Sequence, residues 1–282
     1  MALGRIPGAP GSGGSEIVTV MSSGAWSGRP GPAAPPPDAP PRVVVVGAGI
    51  AGLAAPVRGL RRRPDGSELL VGSTRDAQLL RAHAVVPAVP AHPASRLLAE
   101  AVPSAATELA GIDYASMAIV AAAWPREAVR RLPAGSGFLI PAVDGGLVKA
   151  VTLSTSKWGF LAGEVPGTVL ARMSIGRMGE EADLQREDDE LGAAAVAELA
   201  PVLGLSGLPV ATRETRWGRG LPQYAVGHLD RVERIRSALA AMPGLAVCGA
   251  AYDGIGVPAC IASARRAAET VPTHVGATPE AG

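Results

Sequence analysis

The chain has 282 residues, enough for one large domain or two ordinary ones, and its 48% hydrophobic and 18% charged content is that of a globular protein rather than a disordered one. Lys and Arg total 26 against 25 Asp and Glu, a net charge of +1 that leaves no field to steer a polyanion, so a nucleic-acid partner is disfavoured. Cys248 and Cys260 are too few for a disulfide framework and too far apart for a CxxC redox or zinc site, which suits a reducing, cytoplasmic setting.

In chain order, glycine and proline crowd the first 41 positions, which end in RPGPAAPPPDAPP. Such a stretch buries too little apolar surface to offset its ordering entropy, so residues 1–41 read as a disordered leader, with order beginning at Arg42. The opening MALGRIPGAPGSGGS has no cationic start followed by an apolar stretch, so it does not read as a secretory signal. The run VVVVGAGIAGLAA then predicts a buried strand, a glycine turn and a helix. Residues 64–72 predict a turn feeding a strand, residues 83–91 a strand interrupted by Pro87, and residues 93–102 a helix.

Residues 113–123 favour a strand, because Tyr, Ile and Val precede a Trp-Pro pair. Their apolar run, residues 115–124, is about half of the roughly 20 residues that span a bilayer, so no transmembrane helix is expected. GLVKAVTLS and GTVLARMSI predict two more strands, and LQREDDELGAAAVAELAPVLG an amphipathic helix with its acids at the dipole-favoured end. PVATRETRW predicts a strand, LDRVERIRSALAAMPG a helix, GLAVCGA a buried strand and VPACIASARRAAETV a closing helix with Pro258 in its first turn. A loose tail follows from Pro272. The interleaving predicts an α/β or α+β fold with a mixed sheet.

Gly47, Gly49 and Gly52 form G-x-G-x-x-G directly after the valine strand. Gly47 permits the tight turn, Gly49 lets the backbone approach a pyrophosphate, and Gly52 allows close helix-to-strand packing, with the helix N-terminus facing the negative charge. The fingerprint also asks for an acid about 20 positions on, at the end of a second strand. Glu68 has the spacing, but it begins rather than ends its apolar run and Pro56 breaks the helix before it, so Glu68 reads as a solvated strand residue.

The blocks VVVVGAGIAGLAA, GIDYASMAIVAAAWP, LPAGSGFLIP, KAVTLSTSKWGFLA, RMSIGRMGEE, TRWGRGLPQYAVGHLDRV and GLAVCGAAYDGIGVPACIASARRAA occupy most of residues 42–271. In these blocks and in their order the sequence resembles the FAD-dependent porphyrinogen oxidases of heme biosynthesis, within the amine-oxidase-like flavoproteins. The last two blocks separate this family from NAD-dependent Rossmann proteins. The glycine-rich turn is followed at once by PVRGLRRRPDGSELLVG, which looks like a strand from the family's interior, so a large internal piece is expected to be missing, with its seam near Ala55 and Pro56.

The resemblance implies a Rossmann-like FAD-binding domain, discontinuous over residues 42–110 and 216–271, with an inserted substrate-binding domain over residues 111–215. It implies that Gly47, Ala48, Gly49, Ile50, Ala51 and Gly52 hold the flavin pyrophosphate, that the main chain of Val57 meets the adenine, and that Ile255, Gly256 and Val257 open the last helix against the isoalloxazine. Trp217 is expected near the flavin. The ribose acid has no counterpart. The implied reaction is stepwise oxidation of a porphyrinogen, coproporphyrinogen III or protoporphyrinogen IX, with molecular oxygen reoxidising the flavin and hydrogen peroxide released. A non-catalytic remnant that keeps part of the FAD site is the alternative.

The cofactor carries this chemistry, so no catalytic triad or carboxylate pair is required, and no catalytic side chain is singled out. Arg172 and Arg177 are placed to meet substrate carboxylates, although a solvated strand-end role suits both. The four histidines show no metal-ligand spacing, both cysteines read as packing residues, and Arg61, Arg62 and Arg63 read as a solvated loop.

Overall fold

The computed structural model describes residues 4–6, 16–20, 42–47, 57–64, 66–71 and 77–271. The chain divides into two compact units, Met1–Asp113 with Tyr224–Gly282 and Tyr114–Gln223.

The first unit begins with β1 (Gly4–Ile6), β2 (Glu16–Val20) and β3 (Arg42–Val46), continues through β4 (Val57–Arg63), β5 (Gly66–Val71), β6 (Gln78–Ala82) and β7 (Ala84–Pro87), and then forms α1 (Ala91–Leu98) and α2 (Pro103–Ala110). The order β1-β2-β3-β7 makes one sheet, in which β3 runs parallel to both β2 and β7. Four consecutive β-branched valines, with Val44 and Val46 buried, explain why β3 holds the centre: a parallel strand covered on both faces reads as a continuous apolar run. Pro87 takes the last ladder position of β7, opposite Val46, so the strand ends there rather than being interrupted.

Two strands stand where a disordered leader was expected, and that reading is corrected for residues 4–6 and 16–20. EIVTV ends in four consecutive β-branched residues inside a Gly/Pro-rich background, and pairing with β3 offsets the ordering entropy that composition alone predicts to be prohibitive.

β4, β5 and β6 form a separate antiparallel sheet in that order. The central strand buries Ser67, Glu68 and Leu69, and Glu68 is 5% exposed, paired with Arg63 at 2.7 Å and Arg81 at 3.3 Å. Glu68 is therefore a buried ion-pair partner of two arginines and not a solvated strand residue. The cross-strand register places Arg61 and Arg81 opposite it, which the linear sequence does not reveal.

The second unit contains β8 (Tyr114–Pro125), β9 (Gly137–Leu139), β10 (Val148–Leu153), α3 (Ser154–Lys157), α4 (Gly159–Glu164), β11 (Thr168–Ile175), α5 (Asp188–Leu203) and β12 (Ala211–Pro222). Its antiparallel sheet has the order β12-β8-β11-β10-β9. Strand alternation sends Ala118, Val120, Ala122 and Trp124 to one face, where they join Val169, Ala171 and Met173 under the Leu191, Ala195 and Leu199 stripe of α5. Asp188, Asp189 and Glu190 occupy the first turn of α5, Pro201 its last turn, and Gly204 closes it in the left-handed conformation.

The chain returns to the first unit with α6 (His228–Ala240) and α7 (Val257–Thr270). Between them, residues 244–248 run extended beside β7: Val85 N donates to Gly244 O, Ala246 N to Val85 O and Cys248 N to Pro87 O. This segment, expected as a buried strand, adds a further parallel chain next to β7. Ala84, Val86, Ala246 and Cys248 then pack against Ala267 of α7 and Val271, which caps its carboxyl end. Among the described residues, no helix is long and apolar enough to cross a membrane.

Candidate functional site

β3, β7 and residues 244–248 run in one direction, so Gly47, Ala88 and Gly249 all follow carboxyl ends at one edge of the parallel sheet. Ligands of open parallel sheets bind beyond this edge. Gly47 has φ +131°, and a Cβ there would collide with the Ala88 carbonyl, which is held in place by the Ala88 N to Val46 O bond at 2.6 Å. Only glycine fits the turn. Ala48, Gly49, Ile50, Ala51 and Gly52, expected to complete it, lie outside the described residues.

The second part of the site is the loop from Gly249 into α7. Gly256 caps α7, Val257 and Pro258 open it, and its first turn carries no acid. Cys260 N already donates to Gly256 O, whereas the amides of Val257 and Ala259 head the helix, the end that favours negative charge. Ile255 and Val257 are 54% and 61% exposed, so this helix start faces outward rather than into the core.

The loop is held from α6 and from its own helix. Tyr224 donates to Ala250 O at 2.5 Å and stacks on His228 with ring centroids 3.9 Å apart, and the buried His228 ring meets Tyr252 O at 3.2 Å. Asp253 accepts from Arg236 at 2.6 Å and from Arg266 at 2.5 Å. Burial alone would raise the Asp253 carboxyl, but the bonds from both arginines outweigh it and hold its pKa below the usual carboxylate value. Gly249 N, at the other end, donates to the buried Ser263 hydroxyl of α7. Burial pushes the Cys248 thiol pKa up, with the nearby Cys260 adding to the shift, as suits a packing residue.

Of the sequence-predicted site residues, Gly47 and the Ile255, Gly256 and Val257 trio stand in the first unit. Val57 opens β4, opposite Val71, in the antiparallel sheet rather than the parallel one. Trp217, expected in the first unit, belongs to the second, because β12 pairs with β8 without a break through Trp217 and resumes at Leu221. Arg177 is not a solvated strand-end residue: its side chain is 15% exposed and donates to Gly146 O and Ile140 O. A cavity of about 320 Å³ opens beside it, lined by both signs of charge, with Glu180 and Asp183 facing it.

Arg172 is exposed on the sheet face opposite α5, and the sequence reading missed its neighbour Arg213. Only the register, Arg172 to Ala121 to Arg213, reveals the pair; the strand period gave the signal for each strand separately. Among the described residues, no group of three or more metal-ligating side chains occurs.

The residues fit FAD at two of its ends. The glycine turn after β3 suits a pyrophosphate, and the acid-free helix start of α7 suits the isoalloxazine. For the ribose, β2 carries its only carboxylate, Glu16, at its amino end, and Glu68 is taken up by two arginines.

The family model of flavin-containing amine oxidoreductases matches residues 52–272. A coproporphyrinogen III oxidase of Mycobacterium leprae is 41% identical over 194 residues, 69% of this chain and 41% of that protein. A protoporphyrinogen oxidase of Macaca fascicularis is 32% identical, over 77% of this chain and 45% of its own length. A solved structure described as a protoporphyrinogen oxidase, from Exiguobacterium sp. 255-15, superposes with a TM-score of 0.64 at 28% identity, covering 76% of this chain and 45% of that one. The chain thus spans less than half the length of these relatives.

Proposed function

The chain belongs to the flavin-containing amine oxidoreductase family, and we propose that it is an FAD-dependent porphyrinogen oxidase acting on coproporphyrinogen III. The observation that carries this reading is the assembly, within one unit, of a glycine turn on the central parallel strand and a tied helix start at α7, in a chain 41% identical to a coproporphyrinogen III oxidase. Protoporphyrinogen is the other substrate of the same class, as the macaque relative's name suggests.

FAD, when bound, supplies acceptance of hydride equivalents from the reduced macrocycle, with oxygen as the terminal acceptor and hydrogen peroxide as its product. The protein's part is binding and orientation. Gly47 keeps the main chain open to the pyrophosphate, since any larger residue would displace Ala88. The first-turn amides of α7 would offer negative charge gained by the flavin ring a fixed dipole that needs no reorganisation. Asp253, Tyr224 and His228 fix the loop that aims them.

A second reading, a non-catalytic remnant, is favoured by one specific feature: among the described residues, no carboxylate stands at the carboxyl end of β2, where the ribose acid belongs. The experiment that separates the two is flavin absorption of the full chain after incubation with FAD and desalting, followed by coproporphyrinogen III turnover read as porphyrin fluorescence and oxygen consumption. Retained flavin with fluorescent product supports the oxidase, and Gly47→Ala abolishes both. A colourless protein that forms no product overturns it in favour of the remnant.

A further inference from the structure

The five-stranded sheet of the second unit ends in two unlike edges. At one, β9 is only three residues long, too short a ladder to recruit another strand. At the other, β12 runs for 12 residues, and among the described residues no strand pairs with its outer side. The bonding of β8 fixes which groups of β12 face outward. Just past the paired ends of β8 and β11, Arg126 N donates to Gly167 O, and residues of an antiparallel strand bond alternately to its two neighbours. Even-numbered residues of β8 therefore bond to β11 and odd-numbered ones to β12. Arg213 stands opposite Ala121, Thr215 opposite Ile119 and Trp217 opposite Met117, so these three residues spend their main-chain groups on β8. The amides and carbonyls of Thr212, Glu214 and Arg216 point away from the sheet.

The side chains along this edge complement their own sequence when it is read backwards. Glu214 and Arg216 lie on the α5 side, where Glu214 packs on Gly192 and Arg216 pairs with Asp188 at 2.7 Å, and Arg213, Thr215 and Trp217 lie on the other side. A second β12 laid antiparallel with its two-fold axis at Arg213, Glu214 or Arg216 would set like charges directly opposite each other. With the axis at Thr215, Glu214 meets Arg216, Arg216 meets Glu214, and the Arg213 cation meets the exposed Trp217 ring. Within the single chain, Glu214 Oε1 is shut off from solvent with no hydrogen-bond partner among the described residues. Beyond Trp217 the ladder slips, and Arg219 takes a φ of +50° with its amide bonded to Ser116 Oγ. The flat edge therefore covers residues 212–218, about 20 Å of strand.

We propose that β12 is a docking edge for a second copy of this chain: two copies pair antiparallel about a two-fold axis at Thr215 and continue one sheet through both. Main-chain bonds are exchanged at the two Glu214–Arg216 rungs, the groups that the single chain leaves facing outward. Glu214 gains the charge of Arg216 from the other copy. That guanidinium is already held by Asp188 and by the carbonyls of Leu184 and Arg186, so little side-chain freedom is lost when the copies meet. A single edge of this length stands at the small end of protein interfaces, so the pair is weak and exchanging and forms as concentration rises.

The test uses the full chain, and neither flavin nor porphyrin enters it, so its failure says nothing about the porphyrinogen reading. In sedimentation velocity the wild type moves from monomer toward dimer as concentration rises, and less so as salt rises. Thr215→Lys sets two cations against each other at the axis and weakens dimerisation by at least about 10-fold, with far-UV circular dichroism confirming the fold. Thr215→Cys provides a second readout that does not depend on that variant. Its two copies form a non-hydrogen-bonded pair with Cα atoms about 4.5 Å apart, within reach of a disulfide. Under a mild oxidant it therefore gives covalent dimer at least about 10-fold faster than Thr212→Cys, which is more exposed but stands opposite Gly218 of the other copy. Chance encounter predicts the reverse order. A wild type that stays monomeric at every concentration overturns the proposal. So does a dimer that folded Thr215→Lys leaves intact, or one that cross-links no faster through Thr215→Cys than through Thr212→Cys.

Discussion

Arg236 donates to Asp253 at 2.6 Å, and this contact ties the loop ahead of α7 to α6 while Arg266 closes it from α7 itself. The carboxylate is 22% exposed and the two arginines 37% and 49%, so screening limits each pair to a modest contribution. Asp253→Asn leaves two cations facing each other without a counter-charge. We expect a loss of about 1–2 kcal/mol, a fall in Tm of about 2–6 °C, and weaker flavin retention because the amides of Val257 and Ala259 lose their fixed aim. The pH dependence follows from the sign of the shift. A carboxyl held below its ordinary pKa contributes stability that is fully present above the unfolded value of about 3.9 and is lost as pH falls through the lower folded value. The gap between wild type and Asp253→Asn is therefore constant from pH 7 to about 5 and closes below about 4. Thermal melts across that range check it, and a variant as stable as the wild type at pH 7 would falsify the clamp.

How far the site can be read from residues alone differs between its two halves. The glycine turn is local: a valine run ending in Gly47 specifies a strand, a positive φ and a close neighbour with no tertiary information. The loop before α7 is also legible as a helix start, from Gly256 and Pro258. What holds that loop is not, since Asp253, Arg236 and Arg266 are brought together only by the packing of two helices. Glu68 illustrates the same limit, because an acid opening an apolar run looks solvated until strand register places Arg81 opposite it. The helix α2, unexpected from its sequence, starts at Pro103, and its Glu108 accepts from Arg234 of α6, a long-range partner that propensity does not register. Residues 16–20 went unread for the opposite reason, their β-branched pattern being short and surrounded by Gly and Pro.

β2 makes the prediction for that segment concrete. It occupies the β3 edge opposite β7, so deleting residues 1–20 leaves the valine strand with an unpaired row of amides and carbonyls. An exposed, flat, apolar edge invites intermolecular pairing. We expect the truncated chain to elute as larger species in size-exclusion chromatography and to lose flavin retention, since Gly47 follows directly on β3. A monodisperse truncation with unchanged flavin content would show that β2 contributes nothing to the parallel sheet.

The last prediction concerns the second unit alone. Glu198, in the second half of α5, accepts from Leu147 N at 2.8 Å and from Val148 N at 3.2 Å, so a helix carboxylate caps the entry of β10, at its first ladder pair, Val148 with Ile175. Arg177 holds the same loop through Gly146 O, and a Cβ at Gly146 would meet the Glu198 carboxylate, so the loop sits against that side chain with no spare room. Glu198→Ala strands two amides beside the core residue Val148, at a cost of about 1–3 kcal/mol, whereas Glu198→Gln keeps one acceptor and loses less. Denaturant unfolding measures the ranking, and amide exchange at Leu147 and Val148 locates it. The mechanism requires those two amides to exchange faster in Glu198→Ala than in the wild type while the amides of Val120 and Met173, deep in the same sheet, lose protection only to the extent of the global destabilisation.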